Sequence, residues 1–256
     1  MNPYCKNIDK IEFAVTYACT GKCKHCFEGD HKCDGERIDP KISAEAVRAI
    51  CEKYDVKTVM VFGGEPLLYL DSVYEIISTA TKLGVPKRQV ITNGYFSNDT
   101  SVISKTAEML LRSGVNDLLL SIDAFHQETI PLKPVREFAL ALKKFGVPVR
   151  LHPAWLVSRE DENPYNALTK EILKGFLDMD IPIAGGNIVY PEGNAIKYLS
   201  EYFSDNPPEN PYIEDPCNVK CISVEPNGDV LDSNLYREGI IEIIDKYAPV
   251  SNNAKD

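Results

Sequence analysis

The stretch KTVMVFGGEPLLYLDSVYEIISTATKLG, residues 57–84, decides the fold. Residues 57–62 form a short apolar, β-branched run that ends on Gly63 and Gly64, and so read as a strand. Beyond Pro66, the side chains of Val73, Ile76, Ile77, Ala80 and Leu83 fall on one face of a helix over residues 71–83. Asp71 suits its N-cap and Gly84 the position just past its C-terminus. Outward from this unit the rhythm repeats. Strand-like runs occupy residues 11–17, 88–92, 117–122, 147–156 and 181–190. Helical candidates fill 43–54, 100–113, 134–145, 164–179 and 194–203, with Gly146 as another stop. Six strand–helix units in strict alternation predict an α/β fold with a parallel sheet and right-handed crossovers. Six units fall short of a closed eight-stranded barrel, leaving an open sheet or an incomplete barrel. In either, function gathers at the C-terminal ends of the strands.

After residue 204 the character changes. Residues 205–216 are rich in Pro and Asn and read as a connector. Residues 222–231 read as a β-hairpin turned by Asn227-Gly228, and 239–247 as a short helix. Residues 251–256 read as a frayed tail. The expected division is therefore a core over 1–204 and an extension over 205–256. With 28 Lys+Arg against 38 Asp+Glu, the net charge of −10 argues against a polyanion-binding surface, so no nucleic-acid partner is expected. No apolar run reaches the length of a membrane span, and residues 1–13 lack a signal-peptide core. A cytoplasmic protein with no membrane association is expected. Eight cysteines in such a chain point to thiols or metal ligands rather than a disulfide framework.

Cys19-Thr-Gly-Lys-Cys23-Lys-His-Cys26 follows the first strand. Three thiolates on one loop can converge on an inorganic centre; a cluster held by three of them keeps one iron open. The triplet has other readings: a zinc site completed by His25 or a distant Cys, a C-x-x-C redox pair at Cys23 and Cys26, or plain thiols. Gly63-Gly64-Glu65-Pro66 ends the second strand. Two glycines permit close approach of a ligand, and a carboxylate there can accept from an ammonium group. The alternative is a Gly-rich turn closing a buried strand.

Together these motifs resemble the radical S-adenosylmethionine (SAM) enzymes, over roughly residues 9 to 200. The resemblance implies a partial (β/α)6 barrel of parallel strands with a short C-terminal hairpin-and-helix cap. It implies that Cys19, Cys23 and Cys26 hold three irons of a [4Fe–4S] cluster whose fourth iron binds SAM. Reductive cleavage of SAM would then yield a 5′-deoxyadenosyl radical that abstracts hydrogen from a small-molecule or peptide substrate. Gly63, Gly64, Glu65 and Pro66 would receive the methionyl group, and Ser121, Asp123 and Asn93 at later strand ends would add polar contacts. The family expectation for the reductant is a low-potential ferredoxin or flavodoxin. His25 stands where an aromatic residue is usual. His126 and His152 are acid–base candidates or simple structural hydrogen-bonders. The tail resembles the start of a SPASM or twitch extension. Asp232-Ser233-Asn234 stands where those carry a Cys, so Cys217 and Cys221 would need Cys5, Cys33 or Cys51 to complete an auxiliary cluster. Two other classes compete: a non-catalytic or structural metal protein, and a thiol–disulfide oxidoreductase using Cys23 and Cys26.

Overall fold

In a computed structural model, which describes residues 1–30 and 36–249, strand β1 (Lys10–Ala14) lies at the middle of the sheet. On one side, β2 (Thr58–Phe62), β3 (Lys87–Thr92), β4 (Asp117–Ser121) and β5 (Val149–His152) follow in order, each parallel to the last. Strands β6 (Ala154–Trp155) and β7 (Asn187–Ile188) form a second, two-stranded parallel sheet. On the other side β1 pairs, also in parallel, with β8 (Cys221–Val224), which carries the antiparallel edge strands β9 (Asp229–Val230) and β10 (Ser233–Asn234).

Alternation along the strands sorts their side chains. Ile11, Phe13, Val59, Val61, Val90, Leu118 and Leu120 point outward and are fully buried in one core. Helices α1 (Pro40–Lys53), α2 (Leu70–Lys82), α3 (Thr100–Ser113) and α5 (Leu132–Phe145) cover that face side by side. The short α4 (Ala124–Gln127), α6 (Pro164–Lys174), α7 (Asn194–Leu199) and α8 (Ile240–Lys246) complete the helices. The opposite parity faces the lumen and is polar at its base, where Asp117 accepts from Gln89 (2.6 Å) and Arg150 (2.7 Å) and pairs with Lys87 (3.2 Å).

The parallel α/β sheet expected from the sequence is present, with local corrections. The run expected over 147–156 breaks at Pro153, which has no N–H for the ladder, so β6 leaves β4 and pairs with β7. The strand expected over 181–190 keeps only Asn187–Ile188 and an isolated bridge from Ile183 to Leu151. Gly186, at φ +81, turns its backbone against the Pro153 carbonyl. Asp71 does not cap α2; a 3₁₀ turn over Pro66–Tyr69, capped by Glu65, leads into the helix, and Asp71 pairs with Arg37 at 2.6 Å. Of the expected Asn227-Gly228 turn pair, only Gly228 takes a positive φ. The first hairpin strand belongs to the main sheet beside β1, so the sheet runs across residue 204. Cys33 and the tail at 251–256 lie outside the described residues. No helix among the described residues is long and apolar enough to cross a membrane.

Candidate active site

The chain leaves β1 through Thr16–Ala18, and the Gly63-Gly64 turn after β2 holds that segment. Gly64 N–H donates to the Thr16 carbonyl (2.7 Å) and Glu65 N–H to the Ala18 carbonyl (2.9 Å). A Cβ on Gly63, itself at φ +131, would lie 2.5 Å from the Thr16 oxygen; one on Gly64 would lie 2.3 Å from the Ala18 oxygen. The close approach these glycines permit is therefore to the chain's own backbone, and it fixes where the cysteine loop starts.

On that loop Cys23 is buried, and Cys19 and Cys26 are half-buried. The Gly21 N–H (3.4 Å) and the Asn93 amide (3.6 Å) donate to the Cys19 sulfur. Burial pushes the Cys19 thiol up to about 12 and Cys26 to about 11, and raises Cys23 as well. A redox C-x-x-C pair needs a lowered pKa, and here burial outweighs the N–H donors that pull Cys19 and Cys26 down; thiols this buried become thiolates against a metal centre. Cys19, Cys23 and Cys26 do not gather into a single-ion group among the described residues. That spread fits a cluster, in which each thiolate takes its own iron.

The far end of the loop is tied down from α7. Asn194 N–H donates to the Cys26 carbonyl (2.8 Å), and the Asn194 side-chain amide bonds the carbonyls of Cys23 and Gly29 (3.2 Å each). Gly193, at φ +52, packs so closely that a Cβ would lie 2.2 Å from the Phe27 oxygen. Asn194→Ala removes the side-chain donor from the part-buried Gly29 carbonyl and leaves the Cys23 carbonyl with the Cys26 N–H alone. It should cost about 1–3 kcal/mol and speed iron loss from the reconstituted chain, followed by visible absorbance under a chelator.

Beside the loop lies a cavity of about 200 Å³ whose walls include Gly64, Asn93, Ser121, His126, His152 and Tyr212. Glu65 lies behind this wall, fully buried. Its carboxylate accepts from Thr92 Oγ1 (2.7 Å) and from the N–H groups of Leu67 (3.0 Å) and Asn93 (2.9 Å), joining the ends of β2 and β3. Asp123, also fully buried, accepts from the N–H groups of Phe125, His126 and Ala154 (3.0 Å each) and from His126 Nδ1 (2.9 Å). Against the upward push of burial, His126 holds the Asp123 carboxyl well below the usual carboxylate range. Burial and the neighbouring His126 push His25 down to about 4, so its imidazole is neutral.

Residues 13–163 match the model of the radical SAM superfamily. The chain belongs to the radical SAM superfamily. It is 25% identical over 124 residues to a GTP 3′,8-cyclase of Chlorobaculum tepidum, a match covering 48% of this chain and 35% of that protein. It is 23% identical over 210 residues to a probable GTP 3′,8-cyclase of Saccharolobus islandicus, covering 76% of this chain and 64% of the relative. The chain thus spans less than two thirds of the length of either relative. Its fold is shared with Streptococcus suis SuiB bound to S-adenosylmethionine, at a TM-score of 0.60 and 14% identity over 93% of this chain and 65% of that one. It is shared too with anSMEcpe with bound AdoMet, at 0.58 and 13% identity over 91% of this chain and 79% of that one.

Within this radical SAM chain the structure gathers most of the sequence-derived candidates at one mouth. The three cysteines, Gly64, Asn93, Ser121, His126 and His152 all border the cavity. Glu65 and Asp123 do not offer free carboxylates to it: both are spent on bonds that hold neighbouring strand ends in place. Tyr190 and Tyr212 are wall residues that sequence reasoning misses. Tyr212 comes from the connector, reaches back to donate to Asn187 Oδ1 (2.9 Å) and stands 6.4 Å from the Tyr190 ring. No local pattern marks such a contact; only the path of the connector across the open side of the sheet brings it about. The Gly193-Asn194 clamp, by contrast, has a visible signal in its glycine. Cys221 is buried on β8 near Glu12 and Lys10, while Cys217 is exposed, and neither belongs to a three-ligand group among the described residues.

One consequence of Glu65 burial is measurable. Burial raises its carboxyl to about 7 despite the bonds from Thr92, Leu67 and Asn93, which lower it. The unfolded chain releases this proton near the ordinary value of 4.5, so between 4.5 and 7 the native state binds more protons. Stability from this group is therefore full below the ordinary value and falls as pH rises through 7, by about 3 kcal/mol in total. Urea unfolding of the cofactor-free chain at about pH 5 and about pH 8 should show that fall, and Glu65→Gln should flatten it. An unchanged slope in the variant would mean that Glu65 ionises freely in the fold.

Proposed function

We propose that the chain is a radical SAM enzyme that reductively cleaves SAM and abstracts hydrogen from a substrate held at the C-terminal mouth of the sheet. The observation that carries this reading is the three-cysteine loop, pinned at both ends by Gly63-Gly64 and Gly193-Asn194 and set beside a cavity that the strand ends of β2 to β7 line. Cys19, Cys23 and Cys26 would hold three irons of a [4Fe–4S] cluster. When bound, the cluster and SAM supply a one-electron cleavage and a carbon radical. The chain's own residues do the rest. The Gly21 N–H and the Asn93 amide donate to the Cys19 sulfur and spread its negative charge. Gly64, Asn93 and Ser121 form the SAM-facing wall together with Asp123, whose carboxylate is spent on its neighbours, while Glu65 holds that wall from behind. His152, whose Nδ1 is buried without a partner, lines the same cavity.

The cavity also bears on substrate class. No Lys or Arg lines it among the described residues, and the cations that act on its Tyr212 and His152 are paired, Lys10 with Glu12 (2.5 Å) and Arg150 with Asp117 (2.7 Å). A triphosphate would find no counter-charge there. We therefore read the substrate as uncharged or cationic, a small metabolite or a peptide side chain, and not as the GTP named for the relatives. A low-potential ferredoxin or flavodoxin would supply the electron, in the reducing cytoplasm where exposed clusters and thiols persist.

The test is anaerobic reconstitution with iron and sulfide, followed by SAM and dithionite, with 5′-deoxyadenosine and metal content as readouts. The expected result is about four irons per chain and deoxyadenosine above a SAM-free control, unchanged by added GTP. Stoichiometric zinc with no iron uptake and no deoxyadenosine would overturn the enzyme reading. Strong stimulation by GTP would overturn the substrate class alone.

A further inference from the structure

Three metal-ligating side chains meet at the cluster loop, and two of them, His25 and His126, are ones that the cluster does not use. One ligand atom each of Cys23, His25 and His126 lies within 4.8 Å of the others. The imidazoles of His25 and His126 meet edge to face, with centroids 4.9 Å apart. His25 Nδ1 is buried with no hydrogen-bond partner, a cost the fold bears unless a ligand arrives. His126 is already oriented: its Nδ1 faces both oxygens of Asp123 at 2.9 Å, which leaves Nε2 as the donor atom. A buried carboxylate fixing the far nitrogen of an imidazole is the arrangement that supports metal-bound histidine.

We propose that, when the cluster is absent, Cys23, His25 and His126 bind a single zinc ion. Two imidazoles and one thiolate form a borderline-soft set suited to tetrahedral zinc, and three protein ligands leave the fourth position open toward the cavity that His25 and His126 also line. Binding displaces the Cys23 thiol proton to solvent and changes no oxidation state. Because Cys23 serves both centres, zinc occupancy and cluster assembly exclude each other, and the site acts as a block on assembly. Cys19 and Cys26 take no part. The zinc site does not depend on the radical chemistry, and its readout is metal binding rather than turnover.

The whole chain, stripped of metal anaerobically, is titrated with zinc sulfate against a chromophoric chelator, and Co²⁺ replaces zinc for spectroscopy. One ion per chain is expected, with a cobalt spectrum showing a single thiolate. His126→Ala and His25→Phe should each weaken binding by at least about tenfold, the second keeping a ring against Phe125 so that the fold is preserved. Cys19→Ala and Cys26→Ala should bind as the parent does. Zinc-loaded parent should resist cluster reconstitution until the zinc is chelated, whereas zinc-treated His25→Phe should take up iron without delay. Equal loss of affinity in the Cys19 and Cys26 variants would place zinc on the cysteine triplet and overturn the proposal. So would stoichiometric binding that survives both histidine substitutions, or no binding by the parent.

Discussion

Cys23→Ala should lower deoxyadenosine formation by at least about 100-fold, equivalent to roughly 2.7 kcal/mol in barrier, and should leave the reconstituted chain short of iron. Cys23 is the most buried thiol of the triplet, at 6% exposure against half-burial for Cys19 and Cys26. No neighbour can substitute for its sulfur: His25 and His126 are the adjacent donors, and imidazoles are poor replacements for thiolate on a reduced cluster. Cys51→Ala is the control, because that thiol sits on α1 outside the cavity wall and should retain parental iron and activity. Full deoxyadenosine production by Cys23→Ala would sink its assignment as a ligand. Equal damage from Cys51→Ala would show that any thiol loss merely unsettles the fold.

The second large effect is expected from Gly64→Ala. The added methyl carbon would stand 2.3 Å from the Ala18 oxygen and 2.7 Å from the Tyr17 oxygen. Both are backbone atoms, so neither can rotate aside as a side chain would. The Thr16–Ala18 segment must retreat, breaking the Gly64-to-Thr16 and Glu65-to-Ala18 bonds, and the origin of the cysteine loop moves with it. The cost should be about 2–3 kcal/mol, seen as a fall in melting temperature of roughly 5 °C and a loss of stoichiometric iron. Gly185→Ala is the matched control, since a methyl added there would meet nothing within 4 Å and the backbone is not left-handed. A Gly64→Ala chain with parental melting and iron content would show that the close approach is not needed to place the loop.

These two residues also show how legibility divides. The cysteine triplet could be read because its meaning is local: three thiols on eight consecutive residues must share a loop. The glycine pair could be read as a close approach, but not as an approach to what. The partner is the Thr16–Ala18 backbone, far earlier in the chain, and only parallel pairing of β1 with β2 brings it there. Glu65 and Asp123 carry the same lesson. A carboxylate at a strand end looks available to a ligand until the fold shows the Thr92, Asn93 and Ala154 donors that consume it.

The sequence by itself determined the α/β class, the succession of parallel strands from β1 to β5 and the three-cysteine loop. Each follows from short-range patterns: apolar runs, helical periodicity, stop glycines and ligand spacing. The tertiary structure alone decided that β8 returns to pair with β1, that Pro153 sends the chain into a second sheet, and that Tyr212 reaches the cavity. It alone placed Asn194 on the cysteine loop and His126 beside His25. Those contacts join residues far apart in the chain, and they are selected by which backbone groups and surfaces remain unpaired once the sheet has formed. No local periodicity encodes that remainder.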